Sequence, residues 1–368
     1  MTALASAGVV RGARLATWLA PARRPGLWVP VSAVLLALVV GLVLIAAAGV
    51  SLREAIAAFA DGAWGSPYSI GASLNRAVAL ALVGLGFIVA HRANLTNVGG
   101  EGQIAAGGIA STTLCLYGGA AALPGPFAWI VPLLVAALAG GLWGSIAGFL
   151  KVRIGTNEVI STLLLSFIAV WALYGCVQST NLLRQPMTNS ATLPESLEIP
   201  DRTKVPSLIP DLDMPLHLGA IVCLVAAAVV ALVLARSLFG LRLRAVGLNP
   251  PAARRAGMPI GATVMLAMFI AGAFAGLAGG FMLQGEQLAL KARFPSGYGL
   301  DGLVVGLLAR GTAKGVLASA LLFGFLRSGG IAMELVAGVP SAIVLVIQGL
   351  VILLLAGSAW WLERRRTD

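Results

Sequence analysis

The chain has 368 residues, 59% of them hydrophobic and 11% charged, with a formal net charge of +11. A soluble domain is about a quarter charged, so this composition excludes an ordinary soluble domain and implies a chain that crosses a membrane many times. The basic residues are dispersed at the ends of apolar runs rather than clustered on a module, which argues against nucleic acid as a partner and follows the positive-inside rule.

Residues 1–27, with Arg11, Arg14, Arg23 and Arg24, read as a cytoplasmic amino tail. The apolar run that follows is longer than the roughly 7 to 15 residues of a signal-peptide core, so it reads as a retained helix over 28–50. Runs near the ~20 residues that a helix needs to cross the hydrocarbon recur at 70–90, 130–150, 159–176, 216–235 and 260–283. Shorter or glycine-broken runs lie at 103–122, 299–308, 315–326 and 342–356.

The expected fold is therefore an all-α polytopic membrane protein with about ten transmembrane helices, some broken, filling a transmembrane domain over 28–357 and ending in a cytoplasmic tail over 358–368. Ten crossings return the carboxyl end, with Arg364, Arg365 and Arg366, to the side of the amino end. On this topology Arg92, Lys151, Arg153, Arg236, Arg242, Arg244, Arg254, Arg255, Arg310 and Lys314 face the cytoplasm, and most acids face the other way. Cys115, Cys176 and Cys223 all fall in predicted spans and form neither a disulfide framework nor a metal-ligand spacing.

Two loops stand out. Residues 178–215, rich in Pro, Asn, Asp and Ser, form an external loop that cannot lie in lipid. Residues 237–259 form the largest cytoplasmic loop; there Asn249 is a good N-cap, Pro250 fits a first helical position, and Gly257 followed by Pro259 gives a stop. A short helix over 250–256 is expected, serving either as a solvated connector or as a docking element.

Gly140, Gly144 and Gly148 recur every four residues, as do Gly272, Gly276 and Gly280, a spacing that lets helix backbones approach closely in lipid. "GGEGQIAAG" at 99–107 and "GLDGLVVG" at 299–306 share a Gly-x-acid-Gly core, and the topology puts them toward opposite faces, as an inverted repeat would.

No GxxxxGK[ST], HExxH or GxSxG occurs, so no enzyme, catalytic residue, metal site or cofactor is expected. The polar groups at membrane borders are Asn97, Glu101, Gln103, Asn157, Glu158, Ser161, Thr162 and Asp301. Ionisable groups in the membrane are costly and mark function, but Glu101 and Glu158 lie near predicted helix amino termini, where the dipole favours a carboxylate; both readings stand.

"NVGGEGQIAAGGIA", "GTNEVISTLLLSFIA", "LRAVGLNPPAARRAGM" and "GYGLDGLVVGLLARG", in this order, resemble the permease subunits of bacterial ABC importers, in the branch with ribose, nucleoside and branched-chain amino acid permeases. The pattern is most similar to the nucleoside and simple-sugar group and covers about residues 70–355. Ser166 stands where that group commonly has Asn, Val98 where it has Ile, and "LLARGTAKG" departs from its run around Ala309.

The resemblance implies a subunit of the bacterial inner membrane that pairs with a second permease. It also implies two cytoplasmic ATP-binding subunits or one fused ATPase, and an extracytoplasmic binding protein that delivers a nucleoside or simple sugar. It implies an ATPase-coupling segment containing Arg244, Asn249, Ala252, Ala253, Arg254, Arg255 and Gly257. For the substrate pathway it points to Asn97, Glu101, Gln103, Asn157, Glu158, Ser161 and Asp301, since amides and hydroxyls discriminate polyhydroxylated ligands. The competing expectation is an ion-coupled secondary transporter or channel using Glu101 and Asp301 without an ATPase.

Overall fold

A computed structural model of the chain describes residues 25–188, 193–210 and 212–367. The amino-terminal arginines Arg11, Arg14, Arg23 and Arg24 lie outside the described residues, as does Asp211 of the polar loop. Each of the predicted crossings is a helix: α1 (Pro25–Ala47), α3 (Pro67–Arg92), α4 (Gly100–Leu116), α5 (Phe127–Ile154), α6 (Glu158–Gln178), α7 (Gly219–Arg236), α10 (Ile260–Met282), α11 (Tyr298–Leu308), α12 (Ala313–Ala337) and α13 (Ser341–Thr367). Among the described residues, 6 helices are long and apolar enough to cross a membrane. The protein is an all-α, multi-pass membrane protein.

Three helices lie outside the predicted crossings. α2 (Leu52–Trp64) fills the connection between α1 and α3, while α8 (Leu238–Leu248) and α9 (Pro250–Arg255) occupy most of the stretch expected to be a loop with one short helix. α9 forms as its caps dictate: the Asn249 side chain accepts from the Ala252 amide at 3.0 Å, and Gly257 takes φ +75°. Two arginines and two glycines interrupt the apolar pattern of α8, which is nonetheless an ordinary helix, started by Ser237 accepting from the Gly240 amide at 3.0 Å. α13 runs on through the expected carboxyl tail as far as Thr367.

The chain divides into two compact units, residues 53–338 and residues 1–52 with 339–368. In the smaller unit α1 packs on α13, where Gly41 leaves room for Ile347: a Cβ there would lie 2.8 Å from Ile347 Cγ1. In the larger unit α10 is the central element, packed against α3, α4 and α5. The two glycine rows meet here. A Cβ on Gly140 would lie 2.4 Å from the Gly272 carbonyl oxygen, and one on Gly276 would lie 2.2 Å from that of Ala136. Lipid supplies no hydrophobic drive between helices, so this close backbone approach is what holds α5 to α10.

α4 and α11 have 17 and 11 residues, roughly 25 and 16 Å at the usual helical rise and short of the ~30 Å hydrocarbon core. Both are half-helices, and both begin at the Gly-x-acid-Gly motifs. The motifs were expected toward opposite faces; instead they touch, with a Cβ on Gly100 falling 2.9 Å from Gly299 Cα. From this junction the helices diverge. The far end of α4 carries Ser111, which donates to Gln284 at 3.3 Å, whereas the end of α11 lines a cavity with His91, Arg92 and Gly247. Two half-helices leaving a common point in opposite directions are the geometry of an inverted repeat, whose sequence matches are the halves that meet and not the faces they reach.

The polar loop is tied down rather than free. The amides of Ser196, Ile199 and Val205 donate to the carbonyls of Leu290, Leu288 and Gln284 at 2.9, 2.9 and 3.0 Å. A π-turn at Leu283–Gln287 brings the fully buried Gln284 inward, where its amide donates to the carbonyls of Thr203 (2.6 Å) and Trp129 (3.1 Å). At the other end of the unit, the basic residues gather: Lys151 and Arg254 line one cavity, Arg92, Arg244 and Arg310 another, and Asn94 borders both.

Candidate functional site

The junction is built by short polar side chains that satisfy amides a broken helix leaves orphaned. After α3 the chain turns at Asn94, which takes φ +57°, and runs to Gly99. Asn97 Oδ1 accepts from the Gly99 amide at 2.9 Å and from Gln103 Nε2 at 3.0 Å, while Asn97 Nδ2 donates to Gln103 Oε1 at 2.9 Å. Both side chains are buried and spend their amide groups on each other.

A row of hydroxyls on α6 does the rest. Thr162 Oγ1 accepts from the Val98 amide at 3.2 Å, and Ser166 Oγ from the Gly102 amide at 3.3 Å. Ser166, the residue that stands where the resembling group has Asn, is thus a cap for α4.

Glu101 and Asp301 sit in the first turns of α4 and α11. Two positive helix ends converge there, and a carboxylate on each offsets them. Glu101 Oε1 accepts from the Gly299 amide at 3.3 Å, so the carboxylate of one motif caps the helix of the other. Asp301 Oδ2 pairs with Arg327 Nη1 at 2.6 Å. The Arg327 guanidinium lies 4.1 Å above the Tyr298 ring and donates to the Ser296 carbonyl.

A cavity of about 560 Å³ opens beside the junction, walled by Glu101, Ser166, Phe167, Arg293, Ser296 and Leu300 among others. Of the residues expected to line a pathway, Glu101 alone borders this cavity. Asn97 and Gln103 lie behind it. Asn157 caps α6, accepting from the Val159 amide at 2.9 Å; Glu158 pairs with Lys151 at 2.6 Å; Ser161 Oγ donates to the Asn157 carbonyl at 3.0 Å. These belong to the foot of α6, and Asp301 to its pair with Arg327.

Two residues escaped the sequence reading. Arg327 follows directly on an expected span, and Arg76, which donates to Ser328 Oγ at 2.6 Å, lies inside one. A charged residue within an apolar run is itself the signal, because burying it unpaired costs far more than the run gains. Among the described residues no group of three or more His, Cys, Asp or Glu could hold a metal ion.

In the segment expected to couple to an ATPase, Arg244, Asn249, Ala252, Arg254, Arg255 and Gly257 are exposed, and Ala253 is buried. α8 sits hard against the end of α3: a Cβ on Gly247 would lie 2.5 Å from the Arg92 carbonyl oxygen and 3.0 Å from the Asn94 nitrogen.

Residues 69–356 match the family described as branched-chain amino acid transport system permease components. The chain belongs to this permease family. The guanosine ABC transporter permease NupP of Bacillus subtilis is 36% identical over 335 residues, covering 90% of this chain and 93% of the relative. The glucose ABC transporter permease TsgB13 of Haloferax volcanii is 33% identical, covering 91% and 88%. The nucleoside ABC transporter permease NupB of Lactococcus lactis is 32% identical, covering 89% and 90%. No solved structure matches. The protein is the membrane-spanning permease component of an ABC transporter, and the half-helix junction lies in the matched part of this permease.

Proposed function

We propose that this permease imports a nucleoside, or failing that a simple sugar, through the cavity beside Glu101. The observation that carries the reading is the junction itself: two opposed half-helices meet at glycines, with a carboxylate and hydroxyls at the edge of a cavity of about 560 Å³, the size range of small-molecule sites. Broken helices meeting between repeats are where transporters of inverted-repeat design bind their cargo. Relatives bearing guanosine, nucleoside and glucose in their names support the substrate class.

In this reading Glu101 contacts cargo. Asn97, Gln103, Asn157, Glu158, Ser161 and Asp301 hold the half-helices and the foot of α6 around the path. The partners are two cytoplasmic ATP-binding subunits or one fused ATPase, a second permease subunit, and an extracytoplasmic binding protein that docks on residues 178–215. The basic end faces the cytoplasm of a bacterial inner membrane, with both termini on that side, as the positive-inside rule favours. ATP hydrolysis resides in the separate subunits.

Coupling has a physical route. The exposed surface of α9, with Ala252, Arg254 and Arg255, receives the ATPase, and Ala253 anchors it. A displacement passes through Gly247 to Arg92 and Asn94, then along residues 95–99 to Glu101, biasing the junction between two arrangements.

Reconstitution in vesicles with the ATPase subunits and binding protein tests the proposal. Radiolabelled guanosine should enter only with ATP on the ATPase side and binding protein on the other, and Glu101→Gln should depress the rate by an order of magnitude, in the range of losing a charged hydrogen-bond partner. Uptake by the chain alone without ATP would overturn it.

A further inference from the structure

The second cavity at the basic end shares Arg92, Asn94 and Gly247 with the coupling route above, but that route assigns it no ligand. It measures about 350 Å³ and is lined by His91, Arg92, Asn94, Arg244 and Arg310, with Leu248 and Leu307 on its walls and no carboxylate anywhere in its lining. The three arginines come from three elements: the last turn of α3, the middle of α8, and the turn after α11, where Arg310 takes φ +49°. None of them takes part in an ion pair among the described residues. Arg92 Nε is buried and has no hydrogen-bond partner.

The ordinary role of a basic residue here is to complement a helix carboxyl end, and that accounts for Arg92 by sequence position. It does not account for three guanidiniums converging on one concavity without an acid between them, because like charges repel and each would be better solvated apart. Nor does it account for a desolvated Nε left without an acceptor, which a buried donor does not tolerate cheaply. An anion with several acceptor oxygens removes both penalties.

We propose that this cavity binds a phosphate group, held by Arg92, Arg244 and Arg310. Guanidinium forks match phosphate oxygens bidentately. The group has two sources, the headgroup of an acidic phospholipid and a soluble phosphate. The wall favours the lipid: Leu248 and Leu307 are 76% and 50% exposed, an apolar surface for an acyl chain next to a basic pocket between helices, a known form of headgroup recognition. Once bound, the phosphate ties α3, α8 and α11 together, so it fixes the end of the half-helix α11 to the elements that carry α9.

The test uses the purified full-length chain, with lipid retention measured by native mass spectrometry and protection by thermal unfolding. Phosphatidylglycerol is compared with phosphatidylcholine, and, in phosphatidylcholine alone, inorganic phosphate is compared with chloride at equal ionic strength. Retention of phosphatidylglycerol over phosphatidylcholine should weaken roughly tenfold in Arg310→Gln and in Arg92→Gln, the scale of one charge-assisted contact. It should not change in Arg236→Gln, an exposed arginine outside the cavity. Arg310→Gln carries the test if Arg92→Gln fails to fold, because Arg310 is exposed. Protection by inorganic phosphate that Arg310→Gln abolishes, without lipid discrimination, assigns the soluble source. Absence of any protection overturns the site, and an equal loss in Arg236→Gln reduces it to diffuse surface attraction.

Discussion

The amide of Gly299 donates to the Glu101 carboxylate at 3.3 Å across 198 residues of sequence, and the two motifs are pressed together so closely that a Cβ on Gly299 would fall 2.0 Å from the Glu101 nitrogen. The half-helix α11 therefore takes its amino-terminal carboxylate from α4. Without α4 the Gly299 amide of α11 would lose this acceptor, and a helix end in a low-dielectric interior needs partners for its free amides.

Gly299→Ala should consequently break the junction. No rotamer relieves a clash between a methyl and a backbone nitrogen, so destabilisation of about 3 kcal/mol or more is expected, at or beyond the upper end of overpacking effects. Thermal unfolding of the purified protein measures it. Gly175→Ala is the control: that glycine has nothing within 4 Å of its added methyl, and the change should leave stability equal or raise it by up to about 1 kcal/mol.

Arg327→Ala should cost about 3 kcal/mol or more, because it leaves Asp301 partly buried without its cation; the side chains are 16% and 24% exposed. The double variant Arg327→Ala with Asp301→Asn should recover much of the loss. A double-mutant cycle by chemical denaturation reads the coupling, and additive losses would show that the pair holds nothing together.

Gly247→Ala should separate ATP hydrolysis from transport. Its methyl would meet the Arg92 carbonyl at 2.5 Å, shifting α8 off the end of α3 while leaving the α9 surface unaltered. In vesicles, hydrolysis should persist while uptake falls severalfold. Ala252→Glu should have the opposite signature, loss of ATPase association on co-purification, because Ala252 is exposed on the proposed docking surface.

Gln284→Ala should release the polar loop. It removes the clasp to Thr203 and Trp129 and leaves their carbonyls unpaired, at a cost on the order of 1 to 3 kcal/mol. Limited trypsin digestion should then cut at Arg202 or Lys204 several times faster than in the unaltered protein, with α-helical content unchanged by circular dichroism.

Apolar run length located the helices of the membrane domain, because the hydrocarbon thickness fixes how many residues a helix needs, but it counted the half-helices α4 and α11 as full crossings. Local capping chemistry likewise placed α9 between Asn249 and Gly257, and the glycine spacing foretold close helix packing, since one helix face repeats nearly every four residues; that the two rows meet each other, α5 on α10, came from the structure. The four ordered motifs carried the family. What only the tertiary structure decided is which polar groups face each other. Asn97 and Gln103 looked free to greet a ligand but are satisfied by one another. Asp301 belongs to Arg327, and the two acidic motifs meet instead of occupying opposite faces. Periodicity describes a helix relative to its own axis; pairing across a bundle depends on how deep each half-helix starts and which backbone can come close, and the glycines at 100 and 299 set that depth only when they are in contact.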